Sequence, residues 1–167
     1  PISSGLALEN FIPDNYWRTY NGDVLIMGAG GSALAMSVYL TQKKFGENVP
    51  KHIIIANRSQ PRLDTAEKIL RDLNPDTKFE FVRGEPVDND RLLKTLKEHS
   101  LIVNATGLGK DGPGSPLTDG CEYPENSYVW ELNYRGERMF QRQAEAQAEA
   151  KHLHVEDGWI YFIHGWT

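Results

Sequence analysis

Residues Asp23–Leu40 read DVLIMGAGGSALAMSVYL, and the run from Val24 to Gln42 carries no charge. Its length invites reading it as one membrane-spanning helix. The three glycines near its middle, Gly28, Gly30 and Gly31, argue otherwise. Val24–Met27 is a short apolar run rich in strand formers, suited to a strand buried on both faces. From Ser32 the spacing changes: Leu34, Val38 and Thr41 fall on one helical face, and alanines favour helix. The stretch therefore reads as strand, tight turn and helix.

The turn itself is Gly28-Ala29-Gly30-Gly31-Ser32-Ala33, a G-x-G-x-x-A pattern. Each position has a mechanical reason. Gly28 permits the tight turn. Gly30 lets a pyrophosphate approach the backbone. Ala33 is small enough for the helix to pack on the strand. The helix N-terminus offers N–H groups and partial positive charge to phosphate oxygens. Glycine turns after strands also occur for structural reasons alone; the placement between strand and helix favours a dinucleotide site.

The alternation continues along the chain. Strands are predicted at Lys51–Arg58, Lys78–Val82, Leu101–Thr106, Ser127–Tyr134 and His152–Val155. Helices are predicted at Pro61–Leu73, Asp88–His99 and Glu137–Lys151. Leu63, Ala66, Ile69, Leu70 and Leu73 make the apolar face of the first of these. Leu92, Leu93 and Leu96 make that of the second. Within the third, QAEAQAEA is most simply a solvated surface. Gly107–Asn126, rich in glycine and proline, is a loop. The expected fold is α/β, a Rossmann-type, doubly wound, mostly parallel sheet with helices on both faces, formed by residues 1–167 as one domain. In such sheets ligands lie beyond the carboxyl ends of the strands. Asn57-Arg58-Ser59, Asn104-Ala105-Thr106-Gly107, Asn133-Tyr134-Arg135-Gly136 and the glycine turn should converge there.

Composition narrows the partners. The chain has 167 residues, a formal net charge of -5, 40% hydrophobic and 25% charged residues. With no basic face, general affinity for nucleic acid or an anionic membrane is not expected. The lone Cys121 cannot form an intrachain disulfide and fits a reducing, cytoplasmic setting; its acidic neighbours disfavour the thiolate. His152, His154 and His164 lack the convergence a metal site needs, so no metal is expected. Trp130, Trp159 and Trp166 read as core or interdomain contacts. No basic-then-apolar leader is visible, and the chain opens on Pro1, so it reads as a piece of a longer protein.

NAD-preferring domains usually end the second strand in Asp or Glu, which binds the ribose hydroxyls. Here Asn57 stands at that point, followed by Arg58, with Arg62 one helical turn on. A carboxylate would repel a 2′-phosphate, whereas arginines attract it. The reading is NADP(H) over NAD(H), with Arg58 and Arg62 as ordinary surface arginines the alternative.

VLIMGAGGSALA, ANRSQPR, LIVNATGLG with its Gly/Pro loop, a strand ending in Tyr134, and DGWIYFIHGW together resemble the NADP-binding domain of shikimate dehydrogenases, in order and spacing, from Gly5 to Trp166. The resemblance implies that Asn57, Arg58, Ser59 and Arg62 hold the adenosine 2′-phosphate. It implies that Asn104, Ala105, Thr106 and Gly107 lie beside the nicotinamide ribose. Tyr134 and Gly158 would stand near the nicotinamide, Leu132 would belong to the cofactor site, and Tyr134 and Gly165 would lie near the substrate, a small polyol acid such as shikimate or quinate. The catalytic Lys and Asp of the family belong to an N-terminal substrate domain that no residue here matches. This chain alone would then bind NADP(H) and contribute no catalytic residue. The apolar Trp159–Trp166 end would pack on that domain or a partner, and a homodimer is compatible with the pattern.

Three departures leave the substrate open. Gly165 stands where the family has a glutamine, Lys110 replaces a hydrophobic residue, and ELNYRG differs from the family's Asp-containing strand. Two alternatives also stay open on the sequence. One is the cofactor domain of another dehydrogenase, such as methylenetetrahydrofolate dehydrogenase or glutamyl-tRNA reductase. The other is an NADP-sensing module without catalysis.

Overall fold

The computed structural model describes residues 7–108, 113–133 and 136–158. Short helix α1 (Tyr16–Tyr20) leads into β1 (Val24–Met27), α2 (Gly31–Leu40), β2 (His52–Asn57), α3 (Gln60–Leu70), β3 (Lys78–Arg83), α4 (Pro86–Thr95), β4 (Leu101–Asn104), β5 (Tyr128–Glu131), α5 (Met139–Lys151) and β6 (His154–Glu156). The strands form one sheet in the order β3-β2-β1-β4-β5-β6. Every pairing is parallel, with Val24 opposite Ile53 on one side and Leu101 on the other. The α/β, doubly wound reading holds.

The pleat sorts the apolar run of β1 onto two faces. Val24 and Ile26 join Ile53, Ile55, Leu101, Val103 and Trp130 under α2, α3 and the N-terminal segment. Leu25 and Met27 join Ile54, Ile102, Val129 and Phe140 under α4, α5 and the loop before β5. All four β1 residues are fully buried. Each such aliphatic side chain contributes about 1.5–3 kcal/mol on burial, so β1 is the spine of both cores.

The helices differ from expectation in instructive ways. The inward face of α2 is Ala33, Met36, Ser37 and Leu40, not Leu34 and Val38, which are only partly buried. A serine can face the core because Ser37 Oγ donates to the Ala33 carbonyl at 2.8 Å. Thr41 is buried too, and its hydroxyl donates to the Ser37 carbonyl. In α3, Leu63, Ala66 and Leu70 turn inward while Ile69 is 49% exposed. Helix α4 starts two residues early, with Pro86 in its first turn and Asp88 Oδ2 accepting the Glu85 N–H at 2.8 Å. It stops at Thr95, and the buried Asp23 carboxylate accepts the Lys97 N–H at 3.0 Å.

The QAEAQAEA patch is not a plain solvated surface. Gln143 is buried; its side chain accepts from Ser115 Oγ and donates to the Leu117 carbonyl. Gln147 donates to the Cys121 carbonyl at 2.7 Å and accepts from the Tyr123 N–H at 3.0 Å. These two amides clamp the Gly/Pro-rich loop so that Leu117, Cys121 and Tyr123 enter the core. Burial, with Asp90 adding to it, pushes the Cys121 thiol up to about 11. Trp130 is fully buried and meets Phe11 edge-on. His152 and His154 are exposed, and His154 pairs with Glu156 at 2.7 Å. Trp159, His164 and Trp166 lie outside the described residues, as does Lys110. Among the described residues no helix is long and apolar enough to cross a membrane, and no cluster of His, Cys, Asp and Glu could hold a metal ion.

Candidate functional site

A cleft of about 480 Å³ opens at the carboxyl ends of β1, β2 and β4. This is where the strand order reverses direction about β1, the place where open α/β sheets bind ligands. Its floor and walls include Gly28, Ala29 and Gly30, then Asn57, Arg58, Ser59 and Arg62, then Ala105, Thr106, Gly107 and Leu108. Among the described residues the lining contains two arginines and no Asp, Glu, Lys or His.

The glycine turn is held from both sides. The Gly28 N–H donates to the Ala56 carbonyl at 2.8 Å. Its φ is +122°, and a Cβ there would sit 2.5 Å from the Ala105 carbonyl oxygen. Only glycine satisfies both constraints. At Gly30 and Gly31 a Cβ would meet nothing within 4 Å, so open space lies over the N-terminus of α2. Gly30 is the N-cap, no side chain caps the helix and no acidic residue stands in its first turn. Ser32 continues that turn. Ala33 faces inward and is 1% exposed, so its small size serves packing.

At the end of β2 the chain turns outward. The Asn57 carbonyl accepts from the Gly84 N–H at 3.1 Å. Ser59 caps α3 by accepting the Arg62 N–H at 3.5 Å. Arg58 and Arg62 are both exposed at the rim. Arg83, the last residue of β3, donates from Nε to the Arg58 carbonyl at 3.3 Å, which brings a third guanidinium to this edge.

At the end of β4, Asn104 is buried beneath the wall. Its Oδ1 accepts from the Thr106 N–H at 3.0 Å and the Thr106 hydroxyl at 2.6 Å. One strand over, Leu132 and Gly158 pack together. A Cβ on Gly158 would fall 2.1 Å from the Leu132 carbonyl oxygen, and the Gly158 N–H donates to the Asn133 carbonyl. Gly158 is therefore required by backbone approach, and neither it nor Leu132 lines the cleft. Tyr134 and Gly165 lie outside the described residues.

The sequence reading missed several lining residues: Gly84, Pro86, Asn89, Leu108 and Pro116. The Gly-Glu-Pro step after β3 marked the place, since β3 runs parallel beside β2. Asn89 is 6% exposed; its Nδ2 donates to the Pro116 carbonyl, and its Oδ1 has no partner among the described residues. Arg83 went unremarked, and the buried Glu131 was marked only as part of the ELNYRG departure.

No family model matches the chain. Its curated relatives are NADP(+) shikimate dehydrogenases. That of Lactococcus lactis subsp. cremoris (strain MG1363) is 28% identical over 133 residues, which is 80% of this chain and 45% of that protein. That of Lactococcus lactis subsp. lactis (strain IL1403) is 36% identical over 93 residues, 55% of this chain and 32% of that protein. The chain thus spans less than half the length of these relatives. Among solved structures, a quinate dehydrogenase from Corynebacterium glutamicum in complex with NAD superposes with a TM-score of 0.68 at 18% identity, covering 97% of this chain and 51% of that one. A shikimate 5-dehydrogenase from Listeria monocytogenes in complex with shikimate and NAD gives 0.62 at 16% identity, covering 96% and 54%. At these identities the likeness is one of fold.

Proposed function

We propose that this relative of the NADP(+) shikimate dehydrogenases is the NADP(H)-binding domain, residues 1–167, of an oxidoreductase of that type. The whole protein would transfer hydride reversibly between NADP(H) and a ring carbon bearing oxygen, on shikimate, quinate or a related polyol acid. One observation carries the reading: a glycine turn at an uncapped helix N-terminus shares a cleft with two arginines, and among the described residues the lining holds no carboxylate.

The residues present suit the cofactor. The N-terminus of α2, with open space over Gly30 and Gly31, receives the pyrophosphate. Arg58 and Arg62, with Arg83 behind them, attract the 2′-phosphate that distinguishes NADP from NAD. Pro86, Leu108 and Pro116 offer apolar surface to the adenine. Ala105, Thr106 and Gly107 wall the ribose on the nicotinamide side. When bound, the nicotinamide supplies or accepts the hydride. Among the described residues the lining holds no Lys, Asp, Glu or His to move the proton; a substrate domain would provide the Lys and Asp. A cytoplasmic setting suits the unpaired Cys121.

The test is thermal unfolding of the chain with NADPH or NADH. At a ligand concentration a hundred times Kd, stabilisation is about 2.7 kcal/mol. That is roughly 5–11 °C for a domain of this size. NADPH should give the larger shift at equal concentration. Equal shifts would remove the arginine reading, and no shift with either would remove the cofactor.

A further inference from the structure

A buried carboxyl group that no part of this reading uses lies beside the cleft. Glu131 ends β5, is fully buried, and sits in register with Asn104 at the end of β4. Its Oε1 accepts from Asn104 Nδ2 at 3.0 Å and from the Asn133 N–H at 3.1 Å; its Oε2 lies 3.2 Å from the same Nδ2. We propose that Glu131 is a positioning residue, whose carboxylate orients the Asn104 amide and, through it, the turn of residues 104–108 that walls the cofactor cleft. This rests on reading the cleft as a nicotinamide nucleotide site.

The chain of contacts runs one way. A carboxylate only accepts, so it fixes which end of the Asn104 amide faces β5. Oδ1 is thereby left to the Thr106 N–H and hydroxyl. The Thr106 hydroxyl oxygen in turn accepts the Leu108 N–H at 3.2 Å. Asn133, whose own N–H is tied to Glu131, donates from Nδ2 to the Leu108 carbonyl at 3.2 Å. Both ends of the wall therefore refer back to one buried group. No atom of Glu131 lines the cleft, so it acts through Asn104.

A glutamine at 131 weakens this arrangement. With its oxygen at the Oε1 place it still accepts from Asn104 and the Asn133 N–H, but its nitrogen then stands at the Oε2 place, 3.2 Å from Asn104 Nδ2, as a donor facing a donor. With its amide nitrogen at the Oε1 place instead, two N–H donors oppose each other. If Asn104 turns to accept, its own Nδ2 then opposes the Thr106 N–H. Glu131 also has a titration of its own: burial raises it to about 7, against hydrogen bonds from Asn133 and Asn104 and the pull of Arg138. Among the described residues Arg138 is the cation acting on it, from the approach to α5. The Tyr123 phenol, itself raised well above its usual range, couples to it from the loop before β5. The ionised form offers both oxygens as acceptors and holds Asn104 best.

The experiment is a ¹⁵N NMR titration of the full 167-residue chain from pH 5.5 to 8.5, paired with calorimetric binding of NADPH. The Asn104 side-chain amide and the Thr106 N–H should move together with a shared midpoint near 7, and E131Q should abolish that movement. E131Q should also weaken NADPH roughly tenfold, the loss expected when one wall contact is displaced, and E131D should recover part of it. Signals of Asn104 and Thr106 that ignore pH, or E131Q binding NADPH as the parent does, would overturn the inference. If E131Q does not fold, the titration of the parent chain decides alone. If the parent chain does not bind NADPH, the cofactor reading fails while the Asn104–Thr106 titration still decides the role of Glu131.

Discussion

Replacing Arg58 with alanine should separate the two nicotinamide coenzymes. The Arg58 side chain stands exposed at the rim of the cleft, while its carbonyl, which accepts Arg83 Nε, is untouched by the change. The Ser59 cap of α3 is also retained. The substitution therefore removes a guanidinium without removing a fold contact. A charge-assisted hydrogen bond is worth about 1.5–3 kcal/mol. Exposure favours the lower end, because solvent screens the pair. About 1.5 kcal/mol corresponds to roughly tenfold in Kd. NADPH should thus weaken roughly tenfold and NADH less than about twofold, since NADH has no phosphate for Arg58 to reach. The assay is isothermal titration calorimetry with both coenzymes, at low and at high salt. The NADPH penalty should shrink at high salt, where the Debye length falls to a few ångströms, on the order of 3 Å at 1 M. Equal losses for NADPH and NADH would refute the reasoning and show Arg58 acting through the fold. A penalty indifferent to salt would show that charge is not the discriminating property.

Other outcomes follow from the packing. Gly28→Ala places a Cβ at positive φ against the Ala105 carbonyl; the strain and overpacking together should cost about 2–5 kcal/mol in a denaturant titration. A loss below about 0.5 kcal/mol would mean the turn relaxes freely. Gln147→Ala strands the buried Cys121 carbonyl and Tyr123 N–H. It should cost about 2–4 kcal/mol and expose the loop of residues 115–123 to protease before global unfolding; an unchanged cleavage rate would contradict that. Cys121, with its thiol pushed up to about 11, should hold about one part in a thousand as thiolate at pH 8, against roughly a quarter for a free thiol. Iodoacetamide should therefore label the folded chain at least a hundredfold more slowly than the chain in denaturant, and comparable rates would place Cys121 at the surface.

Much of the fold was legible because its signal is local. The change from strand to helix spacing at Gly28–Ser32 fixed the first βα unit, and the runs HIIIAN and LIVN name their own strands. What escaped was set by distant partners. The end of α4 coincides with a bond from Lys97 to Asp23, separated from it by three βα units. Helix α1 shows no apolar period; Tyr16 and Tyr20 are held instead by ring contacts with Trp17, Tyr128 and His99. Gln143 and Gln147 looked solvated because nothing in QAEAQAEA records the loop they clamp. The site divides the same way. Residues on the first, second and fourth strand ends were readable from turn chemistry. Asn89 and Pro116 enter the cleft from a helix and a loop whose positions only the folded chain defines. Glu131 reads as an ordinary strand-end acid until its partners are seen.

The wedge at Gly28 has a kinetic corollary. Three stretches far apart along the polypeptide meet there: Gly28 itself, Ala56 through its carbonyl, and Ala105 against the place a methyl group would fill. The proposed phosphate seat is complete only after both neighbouring strands have docked on β1. A nucleotide bound at that proposed seat should therefore act as a latch on the finished sheet, slowing its opening while leaving the rate of its formation unchanged.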